Sequence, residues 1–424
     1  MRKTVLLLAS MALALFLACG VALAALPSET PDETPMVNGT VRAIEQVGTN
    51  IWVGGKFTQF KQCKNSVDPS VLNLAVFDSE TNNCRNIAPR LGGTGAEVWD
   101  MMKYGGEGQF KDDVLIAGKF SGSSSTQKNL VRVDGTTGTV KQWYNSPSLK
   151  SVLAAPNVDA LGGEGRVYGG GVSLTAFDTK TGKKVWSDGS RAKTTVNTNL
   201  YPDAPTPGYR DLELDTDGKT IWAACACDAV GGSAAKALVK LNTEGSHDAS
   251  WRAAPDHAYD TSWGMSVVDA NGALYLGAGG SDYLAEISKA SGGDPNWVRD
   301  TSGSVQVVEV MDRQLVIGGH FWEVADQPPV GQPPVDMVDK CGHGRSGDVD
   351  QNGIPTLDPN GKCETRKGIA AYSFDGKLDS NWSPTYAGKY SLVWALHVDG
   401  TRLHTGGEFL TVNGVTHNYY ARLS

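Results

Sequence analysis

Apolar and polar residues alternate along this chain in short runs separated by Gly, Asn and Asp. "VRAIEQV" (41–47), "VWDMMKY" (98–104) and "VWALHVD" (393–399) each repeat with a period of two, the pattern of a strand with one buried face. A second apolar run follows several of them and ends in small residues and a Phe: "IWVGGKF" (51–57), "LIAGKF" (115–120), "LVIGGHF" (315–321) and "LHTGGEF" (403–409). After a variable loop comes a third run, as in "LNLAVFD" (72–78), "KNLVRVD" (128–134) and "YYARLS" (419–424). A turn and then a Trp often complete the unit, at Trp143, Trp186, Trp251, Trp297 and Trp382. Fainter copies of the first two runs lie at 158–171, 212–227 and 266–280.

The copies make seven units, opening near residues 41, 98, 152, 210, 263, 305 and 393. Their spacing is mostly about 40 to 60 residues, the span of a four-stranded propeller blade. No long amphipathic helical pattern follows residue 24. The pattern predicts an all-β chain: a seven-bladed β-propeller of four-stranded antiparallel blades in one domain over 25–424. A loop insertion at about 322–368 lies within the sixth blade. The last unit stops after its third strand, and "LPSETPDETPMVNG" (26–39) precedes the first. Part of that segment is expected to supply the missing outer strand of the last blade, so that the ring closes and no sheet edge is left open. The small pairs Gly54-Gly55, Gly318-Gly319 and Gly406-Gly407 are expected to let neighbouring blades approach. Phe57, Phe120, Phe321 and Phe409 are expected to fill the space between blades.

Residues 1–24 carry a basic start, an apolar stretch and Ala22-Leu23-Ala24, which together read as a secretory signal peptide. Lipoprotein anchoring at Cys19 is the alternative. Removing Arg2 and Lys3 takes the net charge from −8 to −10, which disfavours nucleic acid and anionic membranes as partners. No other stretch is apolar enough to span a bilayer. The chain reads as secreted or held in the cell envelope, and as a monomer. Six cysteines remain, an even number in an exported chain, which implies disulfides. Local pairing gives Cys63–Cys84, Cys225–Cys227 and Cys341–Cys363 out of fifteen possible sets.

"VWALHVDGTRLHTGGEFLTVNGVTHNYYARL" resembles the repeat of exported bacterial β-propellers of uncharacterised function, with their GGxF and ARL signatures. "LTAFDTKTGKKVWSDG" (174–189) resembles the repeat of quinoprotein-type propellers, where Thr181-Gly182 and Trp186 match the docking motif. In that family the motif ties neighbouring blades, and it implies nothing about activity.

Candidate chemistry is sparse. Cys225-Ala226-Cys227 invites a quinone-dependent dehydrogenase, but one residue separates cysteines that are adjacent in quinoprotein alcohol dehydrogenases. A small structural disulfide is the competing reading. Asp348, Asp350 and Asn352, with Gly353, follow the spacing of a calcium loop, and Asp358 stands in for the absent terminal Glu. A solvated acidic insertion is the alternative there. No GxSxG or HExxH motif is present, and the seven histidines fall in no metal or triad spacing. His397 and His404 flank a hairpin in the last unit. Trp99, Trp263 and Trp394 open first strands, which line a propeller channel, so these and Asp100 are candidates for ligand binding. The expected function is a non-enzymatic binding scaffold for an extracellular protein or glycan, with loops 121–128 and 322–368 carrying specificity. The alternative is a channel-centred enzyme, either a quinone-dependent dehydrogenase or a carbohydrate-active lyase or hydrolase.

Overall fold

A computed structural model describes residues 26–66, 69–105, 110–155, 165–186, 193–196, 206–253, 263–280, 282–325, 363–388 and 393–424. Signal residues 1–24, Cys341, and the calcium candidates Asp348, Asp350, Asn352 and Asp358 lie outside them. Every regular element among the described residues is a strand.

The alternating runs become antiparallel sheets in chain order. Among the described residues, nine sheets have three or four strands, and the seven of them that open on a repeat's first strand succeed one another. Their first strands are Val41–Val47, Gly92–Lys103, Ser151–Ala155, Gly208–Leu214, Trp263–Ala270, Val305–Met311 and Val393–Asp399. We number the sheets one to seven by these strands. The first strand of each sheet packs against the first strand of the next, and that of sheet seven packs against that of sheet one. The architecture is all-β and propeller-like. The cores lie between the faces of successive sheets, as expected when both faces of a sheet are apolar.

The repeated small residues have one recurrent job. A Cβ placed on Gly54, Gly277, Gly318 or Gly406 would come within 3.0 Å of Val98, Val305, Val393 or Val41, the leading Val of the next first strand. The contact between sheets seven and one, Gly406 against Val41, repeats the one between sheets one and two. Phe57, Phe120, Phe321 and Phe409 are all buried, as the pattern predicts.

The turn–Trp motif forms a second tie at the outer edge. Gly245 and Gly376 adopt positive φ, and a side chain on either would strike the indole of Trp186 or Trp297 from the preceding sheet. Trp251 and Trp297 donate their indole N–H to Lys289 and Phe374 carbonyls in the following sheet, at 3.0 and 3.1 Å. Trp382 makes the corresponding bond, 2.9 Å long, to the carbonyl of Pro27 near the chain's other end. That N-terminal segment runs along the last strand. Pro31 bridges Leu423, Ser28 N–H donates to Ser424, and Asp32 N–H donates to Arg422. The Asp32 carboxylate accepts from Arg422 Nε at 2.6 Å.

Two expected disulfides are formed, Cys63–Cys84 and Cys225–Cys227, with Cα separations of 5.3 and 5.4 Å. Cys363 is also disulfide-bonded.

Candidate functional site

The first strands carry a shared irregularity that shapes the centre. In six of the seven described first strands the ladder skips one residue, which leaves a bulge between Val41 and Ala43, Val98 and Asp100, Tyr209 and Asp211, Gly264 and Ser266, Val305 and Val307, and Val393 and Ala395. A bulge re-aims the extra side chain away from the regular alternation. Arg42, Trp99, Arg210, Met265, Gln306 and Trp394 are those extra residues, and all of them line one central cavity of about 260 Å³. The first strand of sheet three runs without a skip, and Lys150, just before it, takes the equivalent place in the lining.

One end of this channel is rich in cations and indoles. The Arg42 guanidinium lies between two indoles, 4.6 Å from the centre of Trp99 and 3.9 Å from that of Trp394. Its Nε donates to Glu97 at 2.8 Å. The Lys150 ammonium also lies over Trp99. Arg210 Nη2 donates to the Thr206 carbonyl at 3.1 Å. Arg42 Nη1, Arg210 Nε and Trp394 Nε1 are buried and have no acceptor among the described residues. Burial first, and the neighbouring Arg210 next, push the Lys150 ammonium down to about 7.

Deeper in the channel the chemistry inverts. Glu45, Asp100, Asp211, Glu213 and Glu309 all line the cavity. Three of them are occupied structurally. An inner strand is an edge, and its outward N–H groups need partners. Glu45 Oε2 accepts from Lys103 N–H at 2.7 Å, Asp100 Oδ2 from Val152 N–H at 2.7 Å, and Asp211 Oδ2 from Val267 N–H at 2.9 Å. Ser266 continues the series by accepting from Val308 N–H at 3.1 Å. Each of these side chains reaches the edge of the neighbouring first strand. Glu213 and Glu309 differ. Glu213 has no hydrogen-bond donor among the described residues, and Glu309 accepts only from the next residue's own N–H, at 3.2 Å.

These carboxyls are half-buried and face the cavity. Burial, with the charge of Asp211 next, pushes Asp100 up to about 8. Burial and then Asp211 push Glu213 up to about 8, and burial raises Glu309 to about 7. Burial also raises Asp211.

Of the residues singled out from the sequence, Trp99, Asp100 and Trp394 meet at the channel. Trp263 does not line it. It is buried two positions ahead of the bulge, and Met265 takes the lining place. His397 lines the channel and pairs across the hairpin with His404, which is buried and bonded to Tyr420 Oη at 2.6 Å. Cys225 and Cys227 are fully buried in the core between sheets three and four, away from the cavity lining. Loop 121–128 borders a separate open depression with Arg90, Lys141 and Trp143. Among the described residues no group of His, Cys, Asp or Glu is arranged to hold a metal ion.

Arg42, Lys150, Arg210, Glu213 and Glu309 are not evident in the sequence one strand at a time, because the bulge breaks the alternation. Stacking the seven first strands by their leading residue places the first three in or beside one column.

No protein-family model matches the chain, and no curated protein matches it. Among solved structures it is similar to Raptor from Chaetomium thermophilum, at 11% identity and a TM-score of 0.51, over 93% of this chain and 28% of that one. It is also similar to the computationally designed protein Ika8, at 13% identity and a TM-score of 0.45, over 92% of this chain and 98% of that one. The first likeness is one of fold alone, and the second is too loose to carry an argument. No helix among the described residues is long and apolar enough to cross a membrane.

Proposed function

We propose that this chain is an exported, seven-bladed β-propeller of the GGxF-repeat kind, closed by its N-terminal segment, and that it works as a non-enzymatic binding scaffold. The contact of Gly406 with Val41, the bond from Trp382 to Pro27 and the Pro31–Leu423 bridge support closure. Recognition is centred on the basic mouth of the channel, and the ligand class is a carboxylate-bearing extracellular molecule. The observation that carries this reading is the convergence of Arg42, Lys150 and Arg210 on the lining of one cavity. A carboxylate in that cavity would gain charge-assisted hydrogen bonds from these cations.

The test is a binding screen of the mature protein against acidic and neutral glycans and peptides, repeated with Arg210→Gln. Retention of acidic ligands by the wild type and their loss in the variant is the expected result. Equal retention of neutral ligands, or no effect of Arg210→Gln, would remove the channel mouth as the binding site.

A catalytic reading draws on the same channel, because Lys150, Glu213 and Glu309 titrate near neutrality, where acid–base groups work best. It predicts lyase or hydrolase turnover of an acidic polysaccharide, seen as new reducing ends, and an absence of turnover would leave the scaffold alone. A structural calcium ion on Asp348, Asp350, Asn352 and Asp358 is a separate proposal, checked by mass retained under native conditions and lost with chelator.

A further inference from the structure

The channel has two chemically opposite ends. At the mouth Arg42, Lys150 and Arg210 line the cavity, with Arg42 paired to Glu97 at 2.8 Å and 3.9 Å from Glu408. Below, the spare groups are acceptors, because Glu45, Asp100 and Asp211 are committed to neighbouring strands while Glu213 and Glu309 are not. Arg210 and Glu213 lie on the same strand, three residues apart. At about 3.3 Å per residue, shortened by the bulge, their side chains enter the channel roughly 7–10 Å apart along its axis.

We infer that the channel binds a small zwitterion, with its carboxylate held by Arg42, Lys150 and Arg210 and its ammonium group held by Glu213 and Glu309. The inference rests on the basic-mouth reading above and extends it to the other end of the ligand. A bare divalent ion fits less well, since no acidic group among the described residues is arranged to chelate one. An ammonium group spreads its positive charge over several hydrogens and can serve two carboxylates that do not converge on a point. The raised titration of Glu213 fits this picture, because a buried carboxylate among others holds its proton until a cation arrives to replace it. A cavity of about 260 Å³ accommodates a molecule of that size and no folded partner.

The test is calorimetric titration of the mature protein at neutral pH with 6-aminohexanoate, hexanoate and hexylamine. The amino acid spans the two ends, and each parent compound carries one charge only. The expected result is that 6-aminohexanoate binds about tenfold or more tightly than either parent. Glu213→Gln closes the gap between 6-aminohexanoate and hexanoate, and Arg210→Gln weakens both. Glu309→Gln serves the same purpose should Glu213→Gln not fold. Hexanoate binding as tightly as 6-aminohexanoate would overturn the zwitterion and leave the basic mouth intact. Failure of both acids to bind, or hexylamine binding as tightly as 6-aminohexanoate, would overturn the basic mouth itself.

Discussion

Asp100 shows how one residue serves both fold and site. Its Oδ2 accepts from Val152 N–H in the next sheet, and its carboxyl faces the channel. Asp100→Ala leaves that N–H unsatisfied and should lower stability by about 1–3 kcal/mol in denaturant unfolding, while Asp100→Asn, which keeps an acceptor, should cost less. The pH dependence follows from the same group. Its folded pKa of about 8 lies above the ordinary value near 4, so the folded state holds the proton more tightly than the unfolded chain. The stabilisation is therefore complete below about pH 4 and is lost as pH rises through about 8. Glu213 acts in the same direction. Burial lowers His247, His320, His404 and His417, which act the other way, so the assignment is read from a difference: between pH 5 and 8 the wild type should lose melting temperature relative to Asp100→Asn. A wild-type melting temperature that holds level with or gains on that of Asp100→Asn over this interval would contradict the assignment.

The strand pattern was legible element by element. Period-two runs and their turn signals mark where sheets begin, and the first strands start within a few residues of the predicted openings. The buried Phe57, Phe120, Phe321 and Phe409 follow from the same pattern. The site was legible only in part, because a bulge adds one residue to the alternation and turns the next side chain into the channel. Trp99 and Trp394 were found because an indole stands out in any register. Arg42 and Arg210 were not, since an Arg in a strand ordinarily reads as solvent-facing. Trp263 misled for the same reason, as it precedes the bulge by two. The GG motif yields a direct prediction. Gly54→Ala and Gly406→Ala push a Cβ into Val98 and Val41 at equivalent contacts. Each should destabilise by about 1–3 kcal/mol, and by similar amounts. A neutral Gly406→Ala beside a costly Gly54→Ala would show that sheets seven and one do not meet as sheets one and two do.

For the whole molecule, the proposed closure and the channel depend on one another. The segment from Pro27 to Asp32 joins the last strand through Ser424, Leu423 and Arg422, and accepts from Trp382. Starting the chain at Glu33 should lower the melting temperature by several degrees, the shift expected from about 2–4 kcal/mol in a chain of this size. The six remaining sheet-to-sheet junctions are untouched, so secondary structure by circular dichroism should persist. In the proposed function, seven sheets surround one channel whose basic mouth binds an acidic group. Lys150 reports on it most directly, because its ammonium charge is lost above about pH 7. Hexanoate affinity should be measured across pH 6 to 9 for the wild type and Lys150→Gln. The account predicts affinity that declines above pH 7 in the wild type, and weaker affinity with a flatter profile in the variant. Affinity that neither the pH nor the substitution alters would contradict it.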